Sequence, residues 1–363
     1  MTIVRSKDVG PVGAIGVNKD LSTHELPLNA WTDCRNIRFL DGYVLQYYGH
    51  GEVYNSPSVT PQYIMPVNIA GARYWIYTSA AKTYCVNLAG GVVTHTDITH
   101  LTPRTGVINQ WTGTTLGGIP ILNSGDATNI PMYWDMDVTH KFVDLTNWPA
   151  ATYCKSLRSF KNIIIGMGVT TGGTSYPMRI MFSHPADPGT LPTTYDATDA
   201  TKDAGNFDIS DGSDAIIDGL PLKESFIVYK ESSTWRLDYV GGTFVLSNKK
   251  VFGMSGIMNR NCAVEFDGWH FVVTNSDVAI HDGYTAQSVL DKTTRRYFFQ
   301  NIDTSYAGSV FVFKNPFFNE IFVCYPSVGA TSCDKAIVYN YVDKTISFRD
   351  LPNLNHASYG PIS

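Results

Sequence analysis

Glutamate is scarce in this 363-residue chain: 6 Glu stand against 26 Asp. Glu is a good helix former, whereas Asp favours turns and helix caps. Together with 31 Gly and 18 Pro, this excludes a coiled coil and argues against a helical protein. Charge is sparse as well. Asp, Glu, Lys and Arg make up 16% of the chain, against roughly 25% in average soluble proteins. There is no run of Lys and Arg, and the net charge is -5. Duplex-binding proteins usually carry a basic patch that neutralises phosphates. The charge balance thus argues against tight DNA binding and leaves passing contact with nucleic acid open.

Long apolar runs are missing too. No segment reaches ~18 uninterrupted apolar residues, so no membrane-spanning segment is expected. Residues 1–8 lack the apolar centre of a signal peptide. The six cysteines, Cys34, Cys85, Cys154, Cys262, Cys324 and Cys333, form no C-x-x-C pair. They read as reduced, mostly buried thiols in a protein made in the cytoplasm. A disulfide between Cys324 and Cys333 across a hairpin is the alternative.

What the chain has in quantity is aromatic and β-branched residues: 44% is hydrophobic and 13% is Phe, Trp or Tyr, enough for a core. Short runs of these residues recur between Gly, Asn, Asp and Pro, which is a strand signal. No 3.6-residue periodicity is sustained beyond three turns. Tyr74-Trp-Ile-Tyr77 leads to Tyr84-Cys-Val-Asn-Leu88 and then to 92–98. Similar three-strand phrases begin near 119, 162, 225, 269 and 321. Propeller blades of four strands take roughly 40–50 residues each, and stacking them around an axis buries each sheet against its neighbours. The sequence therefore predicts an all-β fold, a β-propeller of about six blades, with a seventh if 36–54 joins a blade. A β-sandwich pair is the alternative. Residues 1–35 read as an extended N-terminal arm, 36–351 as the propeller, 183–218 as an Asp-rich insertion and 352–363 as a loose C-terminal tail.

Candidate chemistry is thin. The insertion carries Asp187, Asp196, Asp199, Asp203, Asp208, Asp211, Asp214 and Asp218. Asp208, Asp211 and Asp214 place oxygen donors around a Gly, which suits Ca²⁺, but the spacing is not that of an EF-hand. A solvated acidic loop is the simpler reading. In Thr94-His-Thr-Asp-Ile-Thr-His100, His95 and Asp97 share a strand face and His100 does not, so a metal site needs a turn there. Asp135 and Asp137 sit on one outer strand and fit a glycosidase pair poorly. Glu231-Ser-Ser-Thr-Trp235 partly matches the end of the sialidase Asp box, without its Asp and Gly, and reads better as a hairpin. Trp75, Trp111, Trp134, Trp148, Trp235 and Trp269 recur at blade-like positions. Packing rather than sugar stacking is their default reading. Nucleophile-elbow, zincin, P-loop and dinucleotide-binding motifs are missing. No cofactor is expected.

One stretch is more specific. Gly16-Val-Asn-Lys-Asp20, Glu25-Leu-Pro27, Trp31-Thr-Asp-Cys-Arg-Asn36-Ile-Arg-Phe39-Leu-Asp-Gly42 and Tyr48-Gly49-His50-Gly51 form an opening of about 40 residues. It resembles the N-terminus of the tail nozzle or tail hub proteins of short-tailed, podovirus-type bacteriophages. The phrase from Ala263 to Gly283 also reads like their propellers. The resemblance implies a structural virion protein with no catalytic residues, made in the host cytoplasm and built into the tail. It implies a ring, most readily a hexamer, that conducts and gates genome ejection. Expected partners are a tail adaptor protein above, a tail fibre or needle protein, and passing double-stranded DNA. On this reading Asn18, Asp20, Leu26, Pro27 and Trp31 would belong to a docking arm. Asp196, Asp199, Asp203, Asp208, Asp211, Asp214 and Asp218 would belong to a lumen or gate loop. A glycan-binding or glycan-hydrolysing propeller and a receptor-binding tail fibre are the alternatives.

Overall fold

The computed structural model describes residues 10–361 except 70, 105–109, 127, 242–244 and 254. The reading of residues 1–8 therefore lies outside the described residues. The described chain opens with a parallel pair, β1 (Gly16–Val17) and β2 (Ala30–Trp31). The hairpin β3 (Ile37–Leu40) and β4 (Tyr43–Gln46) follows. Residues 36–54 thus supply a hairpin, not a seventh blade.

Six antiparallel four-stranded sheets come next, each in simple sequence order. Blade one is β5 (Tyr63–Ile69), β6 (Ala72–Thr78), β7 (Thr83–Ala89) and β8 (Val92–Asp97). Blade two is β9 (Thr112–Leu116), β10 (Ile119–Asn123), β11 (Met132–Tyr133) and β12 (Val143–Asp144). Blade three is β13 (Thr152–Phe160), β14 (Ile163–Thr171), β15 (Thr174–Phe182) and β16 (Gly205–Asp208). Blade four is β17 (Ile216–Leu222), β18 (Ser225–Lys230), β19 (Thr234–Tyr239) and β20 (Leu246–Phe252). Blade five is β21 (Ala263–Phe266), β22 (Trp269–Val273), β23 (Val278–His281) and β24 (Ala286–Ser288). Blade six is β25 (Phe311–Asn315), β26 (Glu320–Tyr325), β27 (Cys333–Asn340) and β28 (Thr345–Leu354). The protein is a six-bladed β-propeller, as the repeat predicts.

The predicted phrase corresponds to the second, third and fourth strands of each blade. The first strands touch one another around the axis, β9 to β13, β13 to β17, β17 to β21 and β21 to β25. Two-residue hairpins join several of them to their second strands. Asp267-Gly268, with φ 47° and 78°, joins β21 to β22, and Gly117-Gly118 joins β9 to β10. Both central residues have positive φ, the turn whose twist matches paired strands.

Apolar side chains fill the gaps between blades. Phe160, Met167, Phe226 and Leu237 lie between blades three and four. Trp111, Leu122, Trp134 and Phe142 lie between blades one and two. Trp111 and Trp134 are fully buried, and Trp75, Trp148 and Trp235 are buried as well. These indoles are packing elements. All six cysteines are free, and burial pushes the Cys34 and Cys85 thiols up to about 11 and Cys154 to about 12. Cys324 and Cys333 are not bonded to each other; the buried Cys333 thiol donates to the Ser309 carbonyl.

The arm and the β3–β4 hairpin that follows it are docked on their own propeller. Arg38 of β3 is buried and donates through Nε and Nη2 to the two carboxylate oxygens of buried Glu320, at 2.9 and 3.1 Å. The Asn36 amide N–H bonds the Phe348 carbonyl of β28. Between blades five and six lies the one helix of α type among the described residues, α1 (Lys292–Asn301). Asp291 caps it by accepting from the Thr294 N–H, and Asp20 of the arm accepts from the Lys292 and Thr293 N–H groups. Free N–H groups at a helix start favour such carboxylates. Ten residues are less than three turns, so the periodicity passes below the sequence signal.

The C-terminal segment is a wedge, not a loose tail. His356 sits between Tyr63 of blade one and Phe311 of blade six, with ring centroids at 4.3 and 5.3 Å. The Asn355 amide donates to the Pro61 carbonyl and the Trp75 indole N–H donates to the Pro361 carbonyl. The segment therefore fills the seam where the last blade meets the first. Deleting residues 355–363 is expected to open that seam and lower stability by about 3 kcal/mol or more, on the scale of losing one large core side chain. Urea unfolding of the truncated chain against the whole chain checks this.

Candidate functional site at the propeller axis

The first strands bring polar groups to the axis. Arg158 of β13 and Asp218 of β17 form a buried pair, with Nη2 to Oδ2 at 2.6 Å and Nε to Oδ1 at 3.0 Å. Asp218 sits at a register shift in β17, between Ile216 and Asp218. A bulge there re-aims the side chain. Ser156 donates its hydroxyl to Asp218 Oδ1. Asn261, just before β21, donates its backbone N–H to Asp218 Oδ2 and its Nδ2 to the Trp111 carbonyl. Its Oδ1 accepts from Arg158 Nη2 at 2.9 Å. Asn261 has φ 60°, a conformation Asn tolerates better than most residues. Arg158 Nη1 donates to the Gly113 carbonyl. One network thus ties blades two, three, four and five together at their centre.

Burial alone would raise the Asp218 carboxyl, but the Arg158 charge and the hydrogen bonds from Arg158, Ser156 and Asn261 outweigh it and hold the group below its ordinary range. Burial works against the Arg158 cation, and Asp218 more than offsets it. With each partner engaged, the pair is a rivet across the blades.

Cavities flank this rivet. One, of about 320 Å³, is bordered by Tyr63, Arg158, Asn261, Lys314, His356 and Tyr359, so the C-terminal wedge forms part of its wall. The other, of about 420 Å³, is bordered by Lys155, Arg260, Asn259, Gln110, Ser305 and Tyr306 among others.

The seven gate candidates are dispersed. Asp196, Asp199 and Asp203 lie in the connection between β15 and β16, away from the axis. Asp196 Oδ1 accepts from the Thr198 N–H and Asp199 Oδ1 from the Thr201 N–H, which makes them turn-forming carboxylates. Tyr195 in the same connection is buried against Trp148. Asp187 closes a turn with Thr190. Asp208 is on outer strand β16. Asp218 is outside any insertion, because β17 begins at Ile216. The segment that carries the other candidates ends before it, and Asp218 is the member at the axis.

The Ca²⁺ candidates each hold a cation from a neighbouring strand. Asp208 takes two bonds from Arg179, Asp211 takes Lys250 at 3.1 Å, and Asp214 takes buried Lys230 at 2.8 Å. Among the described residues no group of three His, Cys, Asp or Glu is arranged to hold a metal ion. His95, Asp97 and His100 face different partners: the Tyr77 hydroxyl, Lys82, and Asp144 with Arg104. Asp135 and Asp137 are exposed and lie 2.5 and 4.0 Å from one His140 nitrogen. Glu231 lies in the hairpin between β18 and β19, as expected.

A buried histidine pair went unread in the sequence. His270 Nε2 donates to the Pro221 carbonyl, so its Nδ1 accepts from the Tyr229 hydroxyl. His281 Nδ1 accepts from the Gly283 N–H, so its Nε2 donates to the Tyr229 oxygen. The pattern requires both rings neutral. Burial depresses them to about 4 and about 3.

Among the arm candidates, Asn18 Oδ1 accepts from the Asp20 and Leu21 N–H groups, and the Trp31 indole donates to the Val12 carbonyl. Trp31 also lies against Phe39. Leu26 is half-buried and Pro27 exposed.

No protein-family model matches the chain, and no curated protein matches it. Solved structures do resemble it. A fungal alcohol oxidase of the AA5 family, in complex with copper, is 13% identical, with a TM-score of 0.50 over 84% of this chain and 67% of that one. The extracellular domain of a hybrid two-component system from B. thetaiotaomicron is 12% identical, with a TM-score of 0.47 over 84% of this chain and 34% of that one. PorZ of Porphyromonas gingivalis, a component of the type-IX secretion system, is 7% identical, with a TM-score of 0.46 over 85% and 35%. This chain spans about a third of the length of the latter two. At such identities the likeness concerns the fold alone, and the oxidase carries it: this chain has the propeller fold.

Proposed function

We propose that this protein is a wall subunit of a ring-shaped nozzle or hub in a short phage tail, with a mechanical rather than chemical role. The observation that carries the reading is the surface of the segment that bears the resemblance. Leu28, Tyr43 and Tyr48 there are 61%, 69% and 77% exposed, and Phe317 of blade six is 74% exposed. Tyr48 and Phe317 both lie against Phe318, with centroids at 6.4 and 4.6 Å. Exposed aromatic clusters of this kind mark contact surfaces. Heterologous contacts between identical subunits close a ring by cyclic symmetry.

The arm that would dock on a neighbour is held by Asp20 on α1, and the β3–β4 hairpin that follows it is anchored on blade six by Arg38 and Glu320. The axis of each propeller is filled by the Arg158–Asp218 rivet, so in this reading DNA runs through the lumen between subunits. An acidic subunit suits that path, since basic walls would grip each phosphate. The tail adaptor, the fibre or needle protein and the virion location belong to the same proposal.

Native mass spectrometry tests it. A hexamer is expected, and Tyr43→Glu with Leu45→Glu, both exposed, is expected to release folded monomers. A wild-type chain that stays monomeric at about 10 μM, or forms trimers as a fibre would, contradicts the reading. A glycan-binding propeller is the second reading, favoured by the open, cation-bearing cavity at one end of the axis.

A further inference from the structure

Lys155 of blade three and Arg260, just before blade five, both line the 420 Å³ cavity, and among the described residues neither has a carboxylate within ion-pair distance. Among the described residues Arg260 makes one side-chain hydrogen bond, Nη1 to the Gln110 carbonyl at 3.2 Å, which leaves its other donors to the cavity it lines. The nearest carboxylate in the network, Asp218, has its oxygens engaged by Arg158, Ser156 and Asn261. The guanidinium lies close over Gly125: a Cβ there would lie 2.6 Å from Arg260 Nη1 and 3.0 Å from the Lys155 carbonyl. Lys155 is exposed, and its methylenes lie along Gly168.

Two cations without an ion-pair contact among the described residues, in a concave site of an acidic protein, attract an anion. The rest of the lining adds a second requirement. Asn259, Gln110, Ser305 and Ser309 offer hydrogen bonds, and the partly exposed Tyr306 offers a ring face. The volume falls in the usual range for small-molecule sites, and ring faces pack against the apolar side of a sugar.

We propose that this cavity binds a hydroxyl-rich anion of monosaccharide size, with its carboxylate or phosphate between Arg260 and Lys155. Charge-assisted bonds to Arg and Lys are the strong ones in such a site, and the neutral lining would hold the hydroxyls. The inference does not depend on the ring assembly, because the cavity is built within one chain.

Isothermal titration of the whole chain with glucuronate, glucose 6-phosphate, glucose and inorganic phosphate tests it. Saturable binding of glucuronate or glucose 6-phosphate is expected, and whichever binds more tightly identifies the acid group. Lys155→Gln and Arg260→Gln are each expected to weaken it by about 10-fold, the scale of one charge-assisted hydrogen bond. Lys155 is exposed, so its variant remains informative if Arg260→Gln unfolds. Equal binding of glucose, binding of inorganic phosphate alone, no binding at about 10 mM, or unchanged affinity in Lys155→Gln would each overturn the proposal.

Discussion

Asp218→Asn is expected to destabilise the propeller by about 3–5 kcal/mol, the cost of removing one partner from a buried ion pair. Arg158 would keep its charge at the centre of the molecule with no carboxylate to answer it. The cost reaches beyond the pair, because Asp218 also accepts from Ser156 and Asn261, and Asn261 holds the Trp111 carbonyl of blade two. Urea midpoints read this directly. The double variant Arg158→Met with Asp218→Leu is expected to be more stable than Asp218→Asn, since apolar replacement of a whole buried pair is often near neutral. A single variant that unfolds at the wild-type midpoint would remove the rivet from the account.

Mild acid is the second large effect. Histidine in an unfolded chain titrates near 6.5. In the folded chain burial lowers His270 to about 4 and His281 to about 3; burial, with the Arg158 charge second, lowers His356 to about 3. Between these values the unfolded chain binds protons that the folded chain refuses. Their stabilising contribution is therefore complete above about pH 6.5–7 and falls as the pH drops towards 4. Each histidine contributes up to about 1.4 kcal/mol per pH unit in that window, so three give roughly 4 kcal/mol per unit near pH 5. Carboxylates depressed to about 2, such as Asp97 and Asp214, lose their contribution only below their unfolded value of 3.8. The two windows are thus separable. Urea midpoints are expected to fall steeply from pH 6.5 to 5, and less steeply in His356→Phe, which keeps a ring between Tyr63 and Phe311. A midpoint unchanged from pH 7 to 5 would contradict neutral burial of these rings.

The blades were legible because their second to fourth strands are short apolar runs with turns at regular intervals. First strands such as Thr112–Leu116 were not, since Thr-Gly-Thr-Thr-Leu has no apolar alternation. They face the axis, where Gly113 meets Met65 and Tyr63 closely, and small side chains serve there better than large ones. The Gly117-Gly118 turn was the available signal. The abundant Asp suggested an acidic loop, but much of it builds turns, as at Asp126, Asp137, Asp196 and Asp199, each bonded to a Thr two residues on. Their function is local, so it shows in composition and not in a motif. The axial site was hidden for the opposite reason. Arg158, Asp218 and Asn261 are separated by 60 and 43 residues and meet only when the ring closes. The same holds for Lys155 and Arg260.

Averaged electron micrographs of the assembled protein test the central claim most directly. The account predicts six-fold rings whose wall units are single propellers, joined through the arm and the Tyr48–Phe317 surface around an open lumen. Isolated propellers without a lumen, or three-fold elongated particles, would contradict it.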